Sequence, residues 1–320
     1  MTLSIDYESE GFPVGSSVSN GWATLTTSWD DLLWAAVTVG RPNRQFVFRH
    51  GVASQYEALF RWSLVRMALE QTSPRARRLR RTEAARTLDP SEKGAVSYFL
   101  GLAVAGLFAR RVLDAPWMLH LDVFRPSLNP ILKGRSRPDL VGQTQSRQWV
   151  VFECKGRVSG PNATAKAKAK EQAERLISVN GVVPAFSVGA ITYFAGETLR
   201  FFWRDPEPDP RVRSPIEVEC MPSVWRHHYA PLIELVRTIP GAYEAMRHRA
   251  SLWPVEGADL EFGIHPRVIE ALEDQRQADP RPDARWFADD DRYRPDGIAV
   301  AAGDSWKKSF DEASERDLES

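Results

Sequence analysis

Two short segments of this 320-residue chain carry residue types that could do chemistry together. One is Arg137-Pro138-Asp139-Leu140-Val141, and the other is Trp149-Val150-Val151-Phe152-Glu153-Cys154-Lys155. The second is an apolar run ending in two charges, and its aromatic and β-branched residues suit a buried strand. Side chains alternate along a strand, so Glu153 and Lys155 share one face while Val150, Phe152 and Cys154 turn the other way, into a core. Charges at the end of a buried strand are costly unless they are paired or put to use. Asp139 opens another short extended stretch 14 residues before Glu153, a separation that suits a hairpin. Antiparallel pairing of the two stretches would set Asp139 next to Glu153. Two adjacent carboxylates make a hard oxygen site suited to Mg²⁺. A lysine beside them can orient an attacking water or stabilise charge developing on a phosphate.

The elements that must position these residues follow from periodicity and caps. Residues 1–88 read as mostly helical. Ser28 caps a helix through Val37 with Asp31 three residues on, and an apolar stripe at Tyr56, Leu59, Phe60, Leu64, Met67 and Ala68 predicts a helix over Gln55–Glu70. Asp89-Pro90-Ser91-Glu92 starts a helix that runs to about Val112. Extended runs follow at Trp117–Phe124, Asp139–Gly142 and Gln148–Lys155, with a turn-rich stretch Arg125–Pro138 between the first two. Pro161-Asn162 opens a helix from Ala163 to about Ser178, and strands follow near Val188–Phe194 and Thr198–Trp203. Three prolines among residues 205–214 mark a boundary. Beyond it, helices are expected around Pro222–Arg237 and His265–Gln275, a strand at Gly297–Ala301, and a frayed acidic tail after Ser305. From residue 90 the order is helix, three strands, helix, strand, strand, an α/β pattern.

The Pro138-Asp139 step, the Glu153-x-Lys155 step and the flanking helices together resemble the PD-(D/E)xK nuclease superfamily, the group with the restriction-endonuclease-like fold. The resemblance implies an α-β-β-β-α-β core with a mixed central sheet over residues 89–204. A mostly helical region, 1–88, would precede it, and an α/β extension with an acidic tail, 205–320, would follow. It implies that Asp139 and Glu153 bind Mg²⁺ or Mn²⁺ and that Lys155 acts on the nucleophilic water. Several members carry a polar residue, often Gln, on the next helix, and Gln172 stands at that place. Lys168, one turn earlier, shares its face and is a candidate nucleic-acid contact. Some members add a Glu from the helix before the first strand; Glu92 is the acidic residue there, in a first turn where capping suits it. Pro-Asp by itself is uninformative, since it recurs at Pro208-Asp209, Pro282-Asp283 and Pro295-Asp296, whereas Glu153-x-Lys155 is the chain's one (D/E)xK. The implied activity is metal-dependent hydrolysis of phosphodiester bonds, with DNA the expected partner and bacterial restriction or antiviral defence a setting within the family's range. Two alternatives stay open: a nucleic-acid-binding or assembly module with weak or lost catalysis that works with a partner ATPase or sensor, and an RNA-directed nuclease.

Bulk properties bound these readings. The net charge is zero, yet residues 1–160 hold 21 basic against 14 acidic residues and the remainder holds the reverse excess, so a polyanion could bind one side. Six arginines fall within Arg75–Arg86, and Arg77, Arg78, Arg80 and Arg81 are candidate phosphate contacts. Two cysteines, Cys154 and Cys220, provide neither a disulfide framework nor a zinc cluster, and a reducing cytoplasm is expected. Met1 to Ser17 has no apolar leader-like run, and Gly94–Ala109 is too short for a membrane span, so it reads as a buried core helix. His120 and Asp122 share a strand face and could add to the site, although a satisfied core histidine is the commoner outcome. His227 and His228 are adjacent and cannot face one ligand from a helix.

Overall fold

The computed structural model of the chain describes residues 2–40, 52–71, 77–122, 128–132, 137–206, 216–220, 225–255, 257–274 and 282–308. It opens on a hairpin, β1 (Thr2–Glu10) and β2 (Gly21–Ser28), followed by helices α1 (Trp29–Thr38) and α2 (Val52–Ala68). Short strands β3 (Leu69–Gln71) and β4 (Leu79–Arg81) and a brief α3 (Glu83–Thr87) lead to the long α4 (Pro90–Val112). Strands β5 (Trp117–His120), β6 (Leu128–Leu132), β7 (Leu140–Gln143) and β8 (Trp149–Gly156) precede α5 (Ala163–Ala173). Then come β9 (Leu176–Val179), β10 (Phe186–Ala195), β11 (Thr198–Arg204) and β12 (Ile216–Cys220). The chain continues through α6 (Arg226–Thr238), α7 (Ala242–His248), β13 (Trp253–Val255), β14 (Leu260–Ile264), α8 (Pro266–Glu273) and β15 (Ile298–Ala302).

The architecture is mixed α/β around a nine-stranded mixed sheet. Its strand order is β2-β1-β11-β10-β8-β7-β5, with β4 beside β11 and β3 beside β4. Strand β8 runs antiparallel to β7 and parallel to β10, and β10 is antiparallel to β11. Helices α4 and α5 cover opposite faces. On the α4 face, Phe108 stacks on Phe201 with ring centres 4.0 Å apart, and Phe152 and Trp203 pack alongside. On the α5 face, Ala169 packs with Ile191, Tyr193 and Phe202. A smaller sheet orders β6-β12-β9, and a third orders β13-β14-β15. The third is tied to α1 by Ala302 N donating to Asp30 Oδ1 at 2.8 Å and by Trp34 Nε1 donating to Asp296 Oδ2 at 2.8 Å.

The caps expected from sequence form. Asp89 accepts from Ser91 N at 2.8 Å, the Glu92 side chain accepts from Asp89 N at 3.0 Å, and Pro90 takes the first helical position. Ser28 accepts from Asp31 N at 3.1 Å. By length and composition α4 could cross a membrane, but most of its apolar window is buried inside the molecule, as a core helix.

The N-terminal region departs from the mostly helical expectation. Thr2-Leu-Ser-Ile alternates polar and apolar residues with a period of two, which buries Leu3 and Ile5 completely, and β1 pairs in parallel with β11 inside the central sheet. Helix α5 also ends five residues earlier than expected, because Leu176-Ile177-Ser178-Val179 pairs with β12 instead. The extended run from Trp117 stops at His120. Phe124, the flanks of β6 at 125–127 and 133–136, most of the proline-rich boundary, Arg75 and the tail from 309 lie outside the described residues.

Candidate active site

The site is built at the C-terminal end of β8, between α4 and α5. Register places Leu140 opposite Phe152 and Val141 opposite Val151, so Asp139, one residue before β7, comes level with Glu153. The Asp139 carboxylate is held in place by the strand itself: Oδ2 accepts from Cys154 N at 2.8 Å. Phe152 and Cys154 face the α4 side and are buried, as the alternation requires. On the other face the Lys155 ammonium pairs with Glu153 Oε1 and donates to Gln172 Oε1 at 2.8 Å. Gln172 stands on the last turn of α5, so the helix after the motif brings the polar residue expected there. Asp139, Glu153, Lys155 and Gln172 thus form one connected group.

Close backbone approach makes this possible. A Cβ on Gly156 would meet Ser97 O of α4 at 1.7 Å, and one on Gly101 would meet Gly156 N at 3.0 Å. On the opposite face, a Cβ on Gly189 of β10 would meet Lys170 N of α5 at 2.5 Å. Glycines therefore let both helices lie directly on the sheet at the level of the site.

The electrostatics are unbalanced. Glu153 is only 3% exposed, and burial followed by the nearby Asp139 charge pushes its carboxyl up to about 7, although Lys155 opposes the rise. Burial also raises Asp139 above the usual carboxylate range, against the pull of the Cys154 N–H and Lys155. The two carboxyl groups interact side chain to side chain, so one shared proton or one cation would relieve both. Glu153 Oε2 is buried and has no hydrogen-bond donor. Among the described residues no group of three or more His, Cys, Asp or Glu side chains converges on one point. A divalent ion held here would rest on Asp139 and Glu153 and complete its shell with a backbone carbonyl and water. The donor set fits such an ion, because oxygen ligands and an orphaned buried carboxylate oxygen are what a hard cation requires.

No family model, curated protein or solved structure matches this chain. The chemistry of the site therefore rests on its own geometry.

The remaining candidates are placed as follows. Lys168 is exposed on α5. Arg78 pairs with Asp6 at 3.0 Å, Arg80 with Glu70 at 2.8 Å and Arg81 with Glu197 at 3.0 Å, so all three guanidinium groups brace β1, β3 and the β10–β11 turn. Arg77 takes a left-handed conformation and its carbonyl accepts from Ser4 N. Glu92 is a cap. His120 lies opposite Leu140, on the face away from Glu153, wedged against Gly40. Burial lowers it to about 4, which keeps it neutral, as a core histidine. Asp122 pairs with Arg137. His228 is buried against Asp296, with Nε2 to Oδ2 at 3.2 Å.

One residue at the site escaped sequence reasoning. Tyr98 of α4 has its backbone N 2.9 Å from where a Gly156 Cβ would sit. Its phenol is pushed up to about 12 by burial and then by the charges of Asp139, Cys154 and Glu153. It therefore stays a protonated donor beside the carboxylates. An aromatic among the apolar residues of a core helix carries no period signal, so only the fold singles it out.

Proposed function

We propose that this chain is a divalent-metal-dependent nuclease that hydrolyses DNA phosphodiester bonds, and that residues from α4 to β10 form a restriction-endonuclease-like core. The observation that carries the proposal is the pairing of Asp139 with Glu153 on neighbouring strands, beside Lys155 held by Gln172, with one buried Glu153 oxygen left without a donor. The order α4, β5, β7, β8, α5, β10, with β5-β7-β8-β10 adjacent and only the last pair parallel, supports the core assignment.

Asp139 and Glu153 would hold Mg²⁺ or Mn²⁺, which supplies Lewis-acid activation of a phosphoryl oxygen or of bound water. Lys155 has the protein's most direct role. Its ammonium is fixed by Gln172 Oε1 and stands 33% exposed at the mouth of the site, where it can orient a water against the scissile phosphate and stabilise the added negative charge. Cys154 N–H fixes Asp139, so the carboxylate need not reorganise when substrate arrives. The buried floor formed by Val151 and Ile191 keeps the local dielectric low, which strengthens each of these interactions.

The test is incubation of the purified chain with linear duplex, circular duplex and single-stranded DNA in Mg²⁺, Mn²⁺ or chelator. Cleavage is expected with metal and is lost in chelator and in Glu153→Gln. Cleavage that persists in both would overturn the proposal.

A further inference from the structure

The charged face of β8 continues past Lys155. Arg157 N donates to Thr192 O at 2.9 Å, which carries the β8–β10 ladder one residue beyond the end of β8. The alternation of side chains continues with it. Gly156 lies against Ser97 of α4, and Val158 lines a small cavity on that same side with Lys93, Val96 and Ser97. Arg157, between them, falls on the other face, with Glu153 and Lys155. Two residues along a strand span roughly 6.5 Å, a step close to that between successive phosphates of a nucleotide strand.

Arg157 is half-buried, its Nε is buried without an acceptor, and among the described residues it has no carboxylate partner. Other arginines with a buried, unbonded Nε are neutralised: Arg110 pairs with Asp114, Arg137 with Asp122 and Arg204 with Glu10. Two lysines of α5 are likewise paired, Lys166 with Glu8 and Lys170 with Asp205. A guanidinium withdrawn from water without a counter-charge is costly, and its planar fork of donors matches the oxygens of a phosphate. Folding alone thus leaves Arg157 without an anion, two residues beyond the ammonium at the mouth of the site.

From this we infer that Arg157 binds the phosphate next to the scissile one, while Lys155 faces the scissile phosphate itself. The inference rests on the nuclease reading and adds to it the contact that fixes the register of the substrate strand along β8. A flanking phosphate is held equally in the ground and transition states, so loss of the contact raises KM more than it lowers kcat. Removing one charged hydrogen-bonding group should weaken DNA binding about 10-fold or more and flatten its salt dependence by roughly 0.9 on duplex DNA. The guanidinium gains no partner from the fold, so its removal should not lower the Tm of the free protein.

The experiment compares the full chain with Arg157→Met, Arg157→Lys and Arg249→Gln, the last an exposed arginine at the C-cap of α7 that serves as a charge control. Affinity for a labelled duplex oligonucleotide is read by fluorescence anisotropy in chelator across a salt series, cleavage by gel in Mg²⁺ or Mn²⁺, and Tm by circular dichroism. The expected result is a Tm for Arg157→Met no lower than wild type, with weaker binding, a flatter salt slope and a raised KM. Arg157→Lys should keep the slope and recover part of the affinity, and Arg249→Gln should behave as wild type. Unchanged affinity and slope in Arg157→Met overturn the inference, and cleavage by the wild type would still leave the nuclease reading standing. A Tm several degrees below wild type also overturns it, because the guanidinium would then brace the chain after β8. An equal loss of binding in Arg249→Gln overturns it as well, since binding would then follow net charge alone. Arg157-dependent DNA binding with no cleavage in either metal supports the phosphate contact and overturns the nuclease reading instead.

Discussion

Exchanging Glu153 for Gln should stabilise the metal-free protein at neutral and alkaline pH. The wild-type carboxyl rises from its ordinary 4.5 to about 7 through burial and the Asp139 charge. At about 1.4 kcal/mol per pH unit this is roughly 3 kcal/mol, and the side chain is only 4% exposed, so solvent screening removes little of it. A carboxyl raised on folding holds more protons folded than unfolded. Stability is therefore greatest below about 4.5 and declines as pH climbs to about 7, above which the full penalty applies. A glutamine keeps an oxygen for Lys155 and carries no charge against Asp139, so it escapes that decline. For a chain of this length about 1 kcal/mol corresponds to roughly 2 °C in Tm. In chelator, the wild-type Tm should thus fall by about 6 °C relative to Glu153→Gln between pH 4.5 and pH 8. Thermal melts across that range, followed by circular dichroism, read the difference directly. Parallel pH profiles for the two proteins, or a Gln variant less stable than wild type at pH 8, would refute the account of an under-compensated buried carboxylate.

Three further outcomes follow from the same geometry. Lys155→Ala should reduce cleavage about 100-fold or more while the far-ultraviolet spectrum and Tm stay near wild type, whereas Cys154→Ser, on the core face, should cost about 1–3 kcal/mol of stability by burying a hydroxyl; nuclease assays and melts on both variants separate the two roles. Titration calorimetry with Mn²⁺ should give binding to the wild type and none to Asp139→Ala, and equal binding by both would remove Asp139 from the metal site. Replacing Arg80 and Arg81 by Gln should leave the salt dependence of DNA binding unchanged, because Glu70 and Glu197 already hold those guanidinium groups; a slope flatter by roughly 0.9 per residue would make them phosphate contacts.

The residues of the candidate site were more legible in the sequence than the fold around them. Glu153 and Lys155 announced themselves because two charges two residues apart at the end of Val150-Val151-Phe152 must share a face, and strand alternation is a strict period. Gln172 was reached through the family resemblance, and its bond to Lys155 places it where that resemblance put it. Lys168, four residues back on α5, was reached by the same helical spacing and is exposed. The β1–β2 hairpin was missed although Leu3, Ile5 and Tyr7 alternate, because charged and hydroxyl residues between them dilute the apolar signal. Parallel pairing of β1 with β11 joins residues nearly 200 apart, and no local pattern encodes that partner. The tight glycine contacts of Gly101, Gly156 and Gly189 were likewise silent, since an isolated glycine reads as a weak helix or strand residue until its neighbour is known.

A second buried cluster on the same helix shows why the Asp139–Glu153 group reads as a site rather than a brace. Lys170 of α5 is 5% exposed and its Nζ contacts Ser187 O at 2.7 Å, Asp205 Oδ1 at 2.7 Å and Glu174 Oε1 at 3.3 Å, so all three donors of the ammonium are used. Asp205 also accepts from Ser187 N at 3.1 Å. That cluster ties α5 to the ends of β10 and β11 and is closed on itself, as a buried ionic group must be if it is only structural. Two residues along the helix, Gln172 faces a group of the same composition, one lysine and two carboxylates, and there the arrangement is left open. Lys155 is a third exposed, Glu153 Oε2 has no donor, and burial raises both carboxyl groups. Two clusters with equal charge thus differ in whether their polar groups are satisfied. Folding alone would favour closing the second as it closes the first. The unmet valence at Glu153 is consistent with a group held ready for a cation and a phosphate.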